Sequence, residues 1–182
     1  NAAGQWGPTR ASIGVSGQQS SGFSAQDASA NPAVNPDRDG YRNTSGSASL
    51  GYEFKRGHTL GLALTQTAGN LDYDSAFASA VDTQTSRTKI STVRLASSNQ
   101  FTNDWLSTLA LGWQRDDSSF VESGAFGTSS QYISGNQSLN WSNRVALAPQ
   151  WNLNAGLDLQ RQTIDTDDGF GGVYSESRNI DA

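Results

Sequence analysis

The sequence predicts an all-β fold, an antiparallel transmembrane β-barrel segment of about seven strands, and three observations predict it. Apolar residues fall at alternate positions through stretches of roughly ten residues, the period of a half-buried strand. Only 35% of the 182 residues are hydrophobic, which is low for a soluble domain but enough for strands that need apolar side chains on one face only. Short turns and long polar loops alternate between the stretches, as they do when turns lie on one side of a membrane and loops on the other.

Residues 1–7 carry no period, although Trp6 suits a membrane interface. The first predicted strand runs from Pro8 to Gln18 with Ala11, Ile13 and Val15 on one face; the second runs from Thr44 to Phe54 with Ala48, Leu50, Tyr52 and Phe54 on one face. Between them lies Gly22 to Asn43, GFSAQDASANPAVNPDRDGYRN. That connection is far longer than a hairpin needs, so it reads as a binding loop. Lys55, Arg56 and Gly57 form a tight turn into His58 to Ala68, where Leu60, Leu62 and Leu64 share a face. A second polar loop, Gly69 to Arg87, precedes the strand from Lys89 to Asn99 with Val93, Leu95 and Ser97. A turn from Phe101 to Asp104 then leads into a strand carrying Trp105, Ser107, Leu109, Leu111 and Trp113. The third long loop is Asp116 to Ser129, and the next strand, Gln131 to Val145, includes Leu139 and Trp141. After a turn at Ala148 to Gln150, which contains Pro149, the last strand presents Trp151, Leu153, Ala155, Leu157 and Leu159. The fourth long loop is read as Thr163 to Arg178, with an eighth strand starting at Asn179 to Ala182.

The aromatic residues test this order independently. Tyr52, Phe54, Phe101, Trp105 and Trp151 flank the short turns, as an interfacial girdle requires. Trp113 stands roughly 20 Å above Trp105 at about 3.3 Å per residue and a tilt near 40°, and so marks the opposite girdle. A propeller would need four strands per blade and a repeated signature, and neither is present. A soluble sandwich, with the apolar face buried in a core, is the alternative that would also explain the alternation.

Composition narrows the function. There is no run of apolar residues long enough for a helical membrane span. Net charge is −5 with scattered Lys and Arg, which argues against nucleic acid as a partner. With no Cys there is no disulfide framework or thiol site, and the single His, His58, lacks the companions of a metal or catalytic centre. No Ser-His-Asp arrangement or phosphate-binding Gly loop stands out, so the chain reads as a non-enzyme. Asp165, Asp167 and Asp168 with Gly169 form an acidic loop that reads as solvated.

The stretch Gly22-Phe23-Ser24-Ala25, followed by Asn35-Pro36-Asp37-Arg38-Asp39-Gly40-Tyr41-Arg42-Asn43, resembles TonB-dependent outer-membrane receptors of the cobalamin-receptor branch. The Asn103-Asp104-Trp105 turn and the Leu139-Asn140-Trp141 strand are similar in order and spacing, so the resemblance covers nearly the whole chain. It implies a bacterial outer-membrane location and a 22-stranded barrel filled by an N-terminal plug that the TonB complex drives. The plug and the C-terminal strands have no counterpart in residues 1–182, so the expectation is a partial barrel. The remaining strands would come from further chain or partner chains, with outer-membrane lipid around them. It further implies a small-molecule nutrient, cobalamin or another corrinoid first and an iron-siderophore complex second, captured by the outer loops. A structural or adhesive surface β-protein without transport is the alternative.

The resemblance also implies calcium in those loops. Carried over by motif, Asp37, Asp39, Asp74 and Asp82 match the metal ligands, and Tyr73 matches a substrate-contacting aromatic. The chain departs at Ser24, where the receptors have a carboxylate. Calcium takes six to eight oxygen ligands, which closely spaced carboxylates beside a turn-forming Gly supply. Asp-x-Asp-Gly is equally an ordinary turn sequence.

Overall fold

The computed structural model describes residues 1–24, 27, 29–30, 35–74, 79, 81–124 and 127–181. Ala25 of the GFSA stretch and Ala182 lie outside them. Among the described residues the chain is all-β, with strands β1 (Ala2–Trp6), β2 (Thr9–Ser20), β3 (Tyr41–Lys55), β4 (His58–Tyr73), β5 (Gln84–Thr102), β6 (Trp105–Glu122), β7 (Ser129–Ala148), β8 (Trp151–Asp167) and β9 (Val173–Asp181). Each pairs antiparallel with the next in chain order, giving one open nine-stranded sheet.

Beyond the seven expected strands, β1 is new and β9 begins at Val173, ahead of the eighth strand expected from Asn179, and both come from sequence without an apolar stripe. Residues 1–7 contain β1, whose Trp6 pairs with Thr9 across a Gly7-Pro8 turn. The expected fourth long loop, Thr163 to Arg178, is strand for most of its length, because β8 runs on to Asp167 and β9 begins at Val173. Its reversal is made by Asp168, whose Oδ1 accepts the backbone N–H groups of Phe170 (2.8 Å) and Gly172 (2.9 Å). These two bonds hold the Asp168 carboxyl below the usual carboxylate range. The third loop also shortens, since β6 extends to Glu122 and β7 starts at Ser129. Beyond the apolar rows, pairing continues through Ser, Thr, Asn and Gln with no hydrophobic alternation to show it.

Register aligns the apolar positions across the sheet. Ala11, Leu50, Leu62, Leu95, Leu111, Leu139 and Leu159 stand directly opposite one another in a single row. The neighbouring row on the other face reads Ser12, Ser49, Ala63, Arg94, Gly112, Ser138 and Gln160. One face is thus apolar and the other small and polar. All five Trp share the parity of the leucine row. Two of them keep their indole N–H satisfied within that face: Trp105 Nε1 donates to Asn143 Oδ1 and Trp141 Nε1 to Ser107 Oγ, each at 3.1 Å.

Among the described residues no second layer covers the apolar face. Among the described residues Ala110 is the one buried hydrophobic side chain, and Leu50, Leu62, Leu95 and Leu111 remain 37–50% exposed. A soluble sandwich would bury this face under another sheet at about 10 Å; here the described residues form one sheet alone.

At one end of the sheet the turns are two residues long: Gly7-Pro8, Arg56-Gly57, Asn103-Asp104 and Pro149-Gln150. In the last three hairpins one extra residue is bulged out on the strand entering the turn, and it is apolar each time: Phe54, Phe101 and Leu147. Beside each bulge a backbone N–H reaches the carbonyl of the preceding turn: Glu53 to Pro8, Gln100 to Gly57 and Ala146 to Asp104, at 2.8–2.9 Å. The rings of Phe54, His58, Phe101 and Trp105 then follow one another at centroid separations of 5.8, 5.8 and 4.7 Å. His58 is one link of this aromatic rim, and its Nδ1 lies 3.1 Å from Asn99 Oδ1.

Candidate functional site

The opposite end carries the long connections, 21–40 between β2 and β3 and 74–83 between β4 and β5. Because β3 and β4 form one hairpin, both connections emerge on the same rim. Carboxylate oxygens of Asp37, Asp39 and Asp74 lie within 4.8 Å of one another, Asp37 exposed and the other two half-buried.

Glycine makes this approach possible. Gly22 sits at φ 59° where the chain leaves β2, and a Cβ there would run into the Asp39 carbonyl. Gly40 passes so close to β4 that a Cβ would come within 3.2 Å of Asp72 Oδ2. With both side chains absent, the Asp39 N–H bonds to Phe23 O (3.4 Å) and the Asp72 N–H to Gly40 O (2.8 Å). The β3 entry is thereby fixed between the β2 exit and β4. Asp37 and Asp39, two apart in the segment leading into β3, thereby come together with Asp74 at the start of the next loop.

Side chains tie the loops together further. The Ser24 hydroxyl lies 3.2 Å from Asp74 Oδ2 and 3.5 Å from the Asn35 carbonyl, and Asn35 Nδ2 donates to the Asp82 carbonyl at 2.9 Å. Where the receptor pattern has a carboxylate, Ser24 places a hydroxyl beside Asp74.

Asp82 stands apart from the three-carboxylate group. Its Oδ2 accepts the Ser79 N–H at 2.8 Å and its N–H returns to the Ser79 carbonyl at 3.0 Å, so the side chain closes a turn of its own loop. Gly124 of the third loop lies against that carboxylate. The neighbouring Thr83 exchanges backbone bonds with Ser123, to Oγ at 2.7 Å and from its N–H at 2.9 Å. Tyr73, the last residue of β4, points to the polar face with its hydroxyl 3.4 Å from Glu122 Oε1.

The donors in the three-carboxylate group are all hard oxygens. Calcium–oxygen distances of about 2.3–2.6 Å let two ligand oxygens on one ion sit up to roughly 5 Å apart, so three carboxylate oxygens within 4.8 Å can share an ion. The Ser24 hydroxyl is a further oxygen beside Asp74, at 3.2 Å from its Oδ2. Zinc and copper sites draw on His or Cys ligands, and none is present here. The residues therefore fit a hard divalent cation, which would offset most of the repulsion among three carboxylates and fasten loop 21–40 to loop 74–83.

Gly22, Ser24, Asn35 and Ser123 are positioning residues that pattern reading did not single out as such. Gly22 alone carried a signal, as a glycine just past a strand end where the chain must reverse. Comparison of the chain with protein-family models, with curated proteins and with solved structures finds no match.

Proposed function

We propose that this sheet is an arc of an outer-membrane β-barrel, with its leucine row against lipid, its polar face towards the lumen and its long loops at the outer rim. The observation that carries the reading is an apolar belt over which the described residues place no second layer, on a sheet whose other face is polar. Full closure with further strands would pair the edges of β1 and β9, since an unpaired edge in hydrocarbon costs several kcal/mol per backbone group.

Within that reading the loops capture a scarce nutrient for TonB-dependent uptake, a corrinoid such as cobalamin before a siderophore complex. Asp37, Asp39 and Asp74 would hold a calcium ion that fastens the loops; Asp82 would order the second loop from outside the group, and Tyr73 would offer a ring to the ligand. What supports this is the convergence of three carboxylates from two loops at the rim, together with the resemblance of the Asp37-Arg38-Asp39-Gly40 stretch to the cobalamin receptors. No bond is made or broken in capture, so the protein contributes shape, charge and ordering.

The test is calorimetric titration of cobalamin into the full-length protein carrying this chain, in detergent, with calcium and then with chelator. The titration is repeated for Asp37→Asn with Asp39→Asn. The expected result is saturable binding that weakens on the order of tenfold or more on chelation and in the double variant. Absence of binding in every condition would overturn the corrinoid assignment. Binding indifferent to chelator and to both substitutions would overturn the metal.

A further inference from the structure

Beyond the row of Leu64, Val93 and Trp113, the apolar face turns cationic. On β6 the next outward residue is Arg115; on β5 Lys89 and then Arg87 follow; on β3 Arg42 stands level with Arg87, the two flanking Asn70 of β4. These residues share the strand parity of the leucine row, and no register shift intervenes, so they project from the same face. Arg42 and Arg87 are roughly 10 Å apart across two strand spacings, and Lys89 lies roughly 7 Å along the strand from Arg87.

The charge on this strip runs against that of the chain. Net charge is −5 overall, yet here four cations, Arg42, Arg87, Lys89 and Arg115, face two carboxylates, Asp72 and Asp117. Asp117 pairs with Arg115 at 3.6 Å, and Asp72 accepts the Thr85 hydroxyl at 3.3 Å. Among the described residues the side chains of Arg42, Arg87 and Lys89 have no ion-pair or hydrogen-bond partner. Gln19, Arg42, Asn70 and Arg87 line an open cleft of about 640 Å³.

Height decides what would fit. At about 3.3 Å per residue and a tilt near 40°, Arg115, Lys89 and Arg87 rise roughly 5, 10 and 15 Å above the Val93 and Trp113 row. One phosphodiester at the hydrocarbon edge reaches only the lowest of these. A head of that height must carry several phosphates on an extended sugar scaffold, while the acyl chains occupy the belt below.

We infer that this strip is a docking surface for a polyphosphorylated glycolipid of the outer leaflet, with its phosphates on Arg42, Arg87 and Lys89 and its chains along the leucine row. The inference rests on the barrel reading. Guanidinium groups suit phosphate because they present forked donors, and the unpaired pair beside Asn70 meets that need without breaking an existing ion pair.

The experiment is native mass spectrometry of the full-length protein carrying this chain, in detergent, titrated with rough lipopolysaccharide bearing a phosphorylated core. Phosphatidylglycerol and inorganic phosphate serve as separate probes. The wild type is expected to retain the glycolipid in preference to phosphatidylglycerol, and millimolar phosphate is expected not to displace it. Arg42→Gln with Arg87→Gln should weaken retention about tenfold, Arg42→Lys with Arg87→Lys should keep most of it, and Arg10→Gln with Arg94→Gln on the polar face should change nothing. Undiminished retention in the first variant, equal loss in the polar-face control, preference for phosphatidylglycerol, or displacement by phosphate would each overturn the inference. A bimane label at Leu111→Cys, in a background without other Cys, separates the two readings. Quenching by brominated acyl chains with unchanged glycolipid retention in the Arg→Gln pair would defeat the docking surface alone. No quenching would defeat the barrel reading and the docking surface with it.

Discussion

At the rim of short turns each hairpin closes with two residues, and three of them repeat a bulged apolar side chain and a hydrogen bond to the preceding turn. At the loop rim the same strands are joined by segments that find their partners in other loops, with Ser24 reaching Asp74, Asn35 reaching Asp82 and Thr83 reaching Ser123. The first rim is assembled from contacts within and between adjacent hairpins. The second is assembled from ties between successive long connections, and it exists only once the hairpin standing between them has paired with both neighbours. A rim of independent, repeated units tolerates local change, whereas a rim of mutual ties transmits it, and the carboxylate group sits on the rim that transmits.

The largest expected effect comes from a residue that touches no ligand. Gly22→Ala places a Cβ against the Asp39 carbonyl at a backbone position of φ 59°. The left-handed conformation alone costs about 1–2 kcal/mol, and the overlap forces Asp39 away from Asp37 and Asp74. Cation-dependent binding in the calorimeter should fall on the order of tenfold or more, with the thermal midpoint of the sheet nearly unchanged. Equal losses in binding and midpoint would mean that the loop rim is no more sensitive to local change than the turn rim.

The matching change at the turn rim is Phe101→Ala, which removes the ring between His58 and Trp105. Two aromatic contacts at about 0.5–1.5 kcal/mol each predict roughly 1–3 kcal/mol lost from unfolding stability in denaturant, with ligand affinity retained. A large affinity loss from Phe101→Ala would dissolve the distinction between the rims.

The same distinction explains what could be read in the sequence. Leu60, Leu62 and Leu64 announce their strand because each faces the belt, and the short turns follow from where such runs stop. By contrast β9, VYSESRNID, pairs through backbone bonds and polar side chains, so its pattern does not differ from that of a loop. The bulges at Phe54, Phe101 and Leu147 were equally silent, since a bulge is defined by the partner strand. At the loop rim, Asp37 and Asp39 were legible as a closely spaced carboxylate pair beside a turn-forming Gly. Asp74 joins them through strand pairing that no local pattern encodes. Asp82 entered by motif, and its place in the Ser79 turn depends on the path of its own loop.

One connection at the loop rim is built like a short turn, and it offers the smallest and sharpest contrast. Asp168 closes residues 168–172 with two backbone bonds of its own, although Gly169 passes close to Thr128 and Ser129 at the end of the preceding connection. Its carboxyl titrates below the usual range because the N–H groups of Phe170 and Gly172 favour the charged form. A depressed folded value means that the contribution to turn stability is present above the unfolded pKa near 3.8 and is lost as pH falls through the lower folded value. Amide exchange at Gly172 should therefore stay protected down to the ordinary aspartate range and accelerate only below it. Asp168→Asn, which cannot carry the charge, should remove that pH dependence. Because Asp168 is fully exposed, the effect stays local, and cation binding at Asp37, Asp39 and Asp74 should be unaltered by the substitution at neutral pH. A weakened cation site in Asp168→Asn would show that even this self-contained turn is tied to the others, and that the loop rim behaves as one unit.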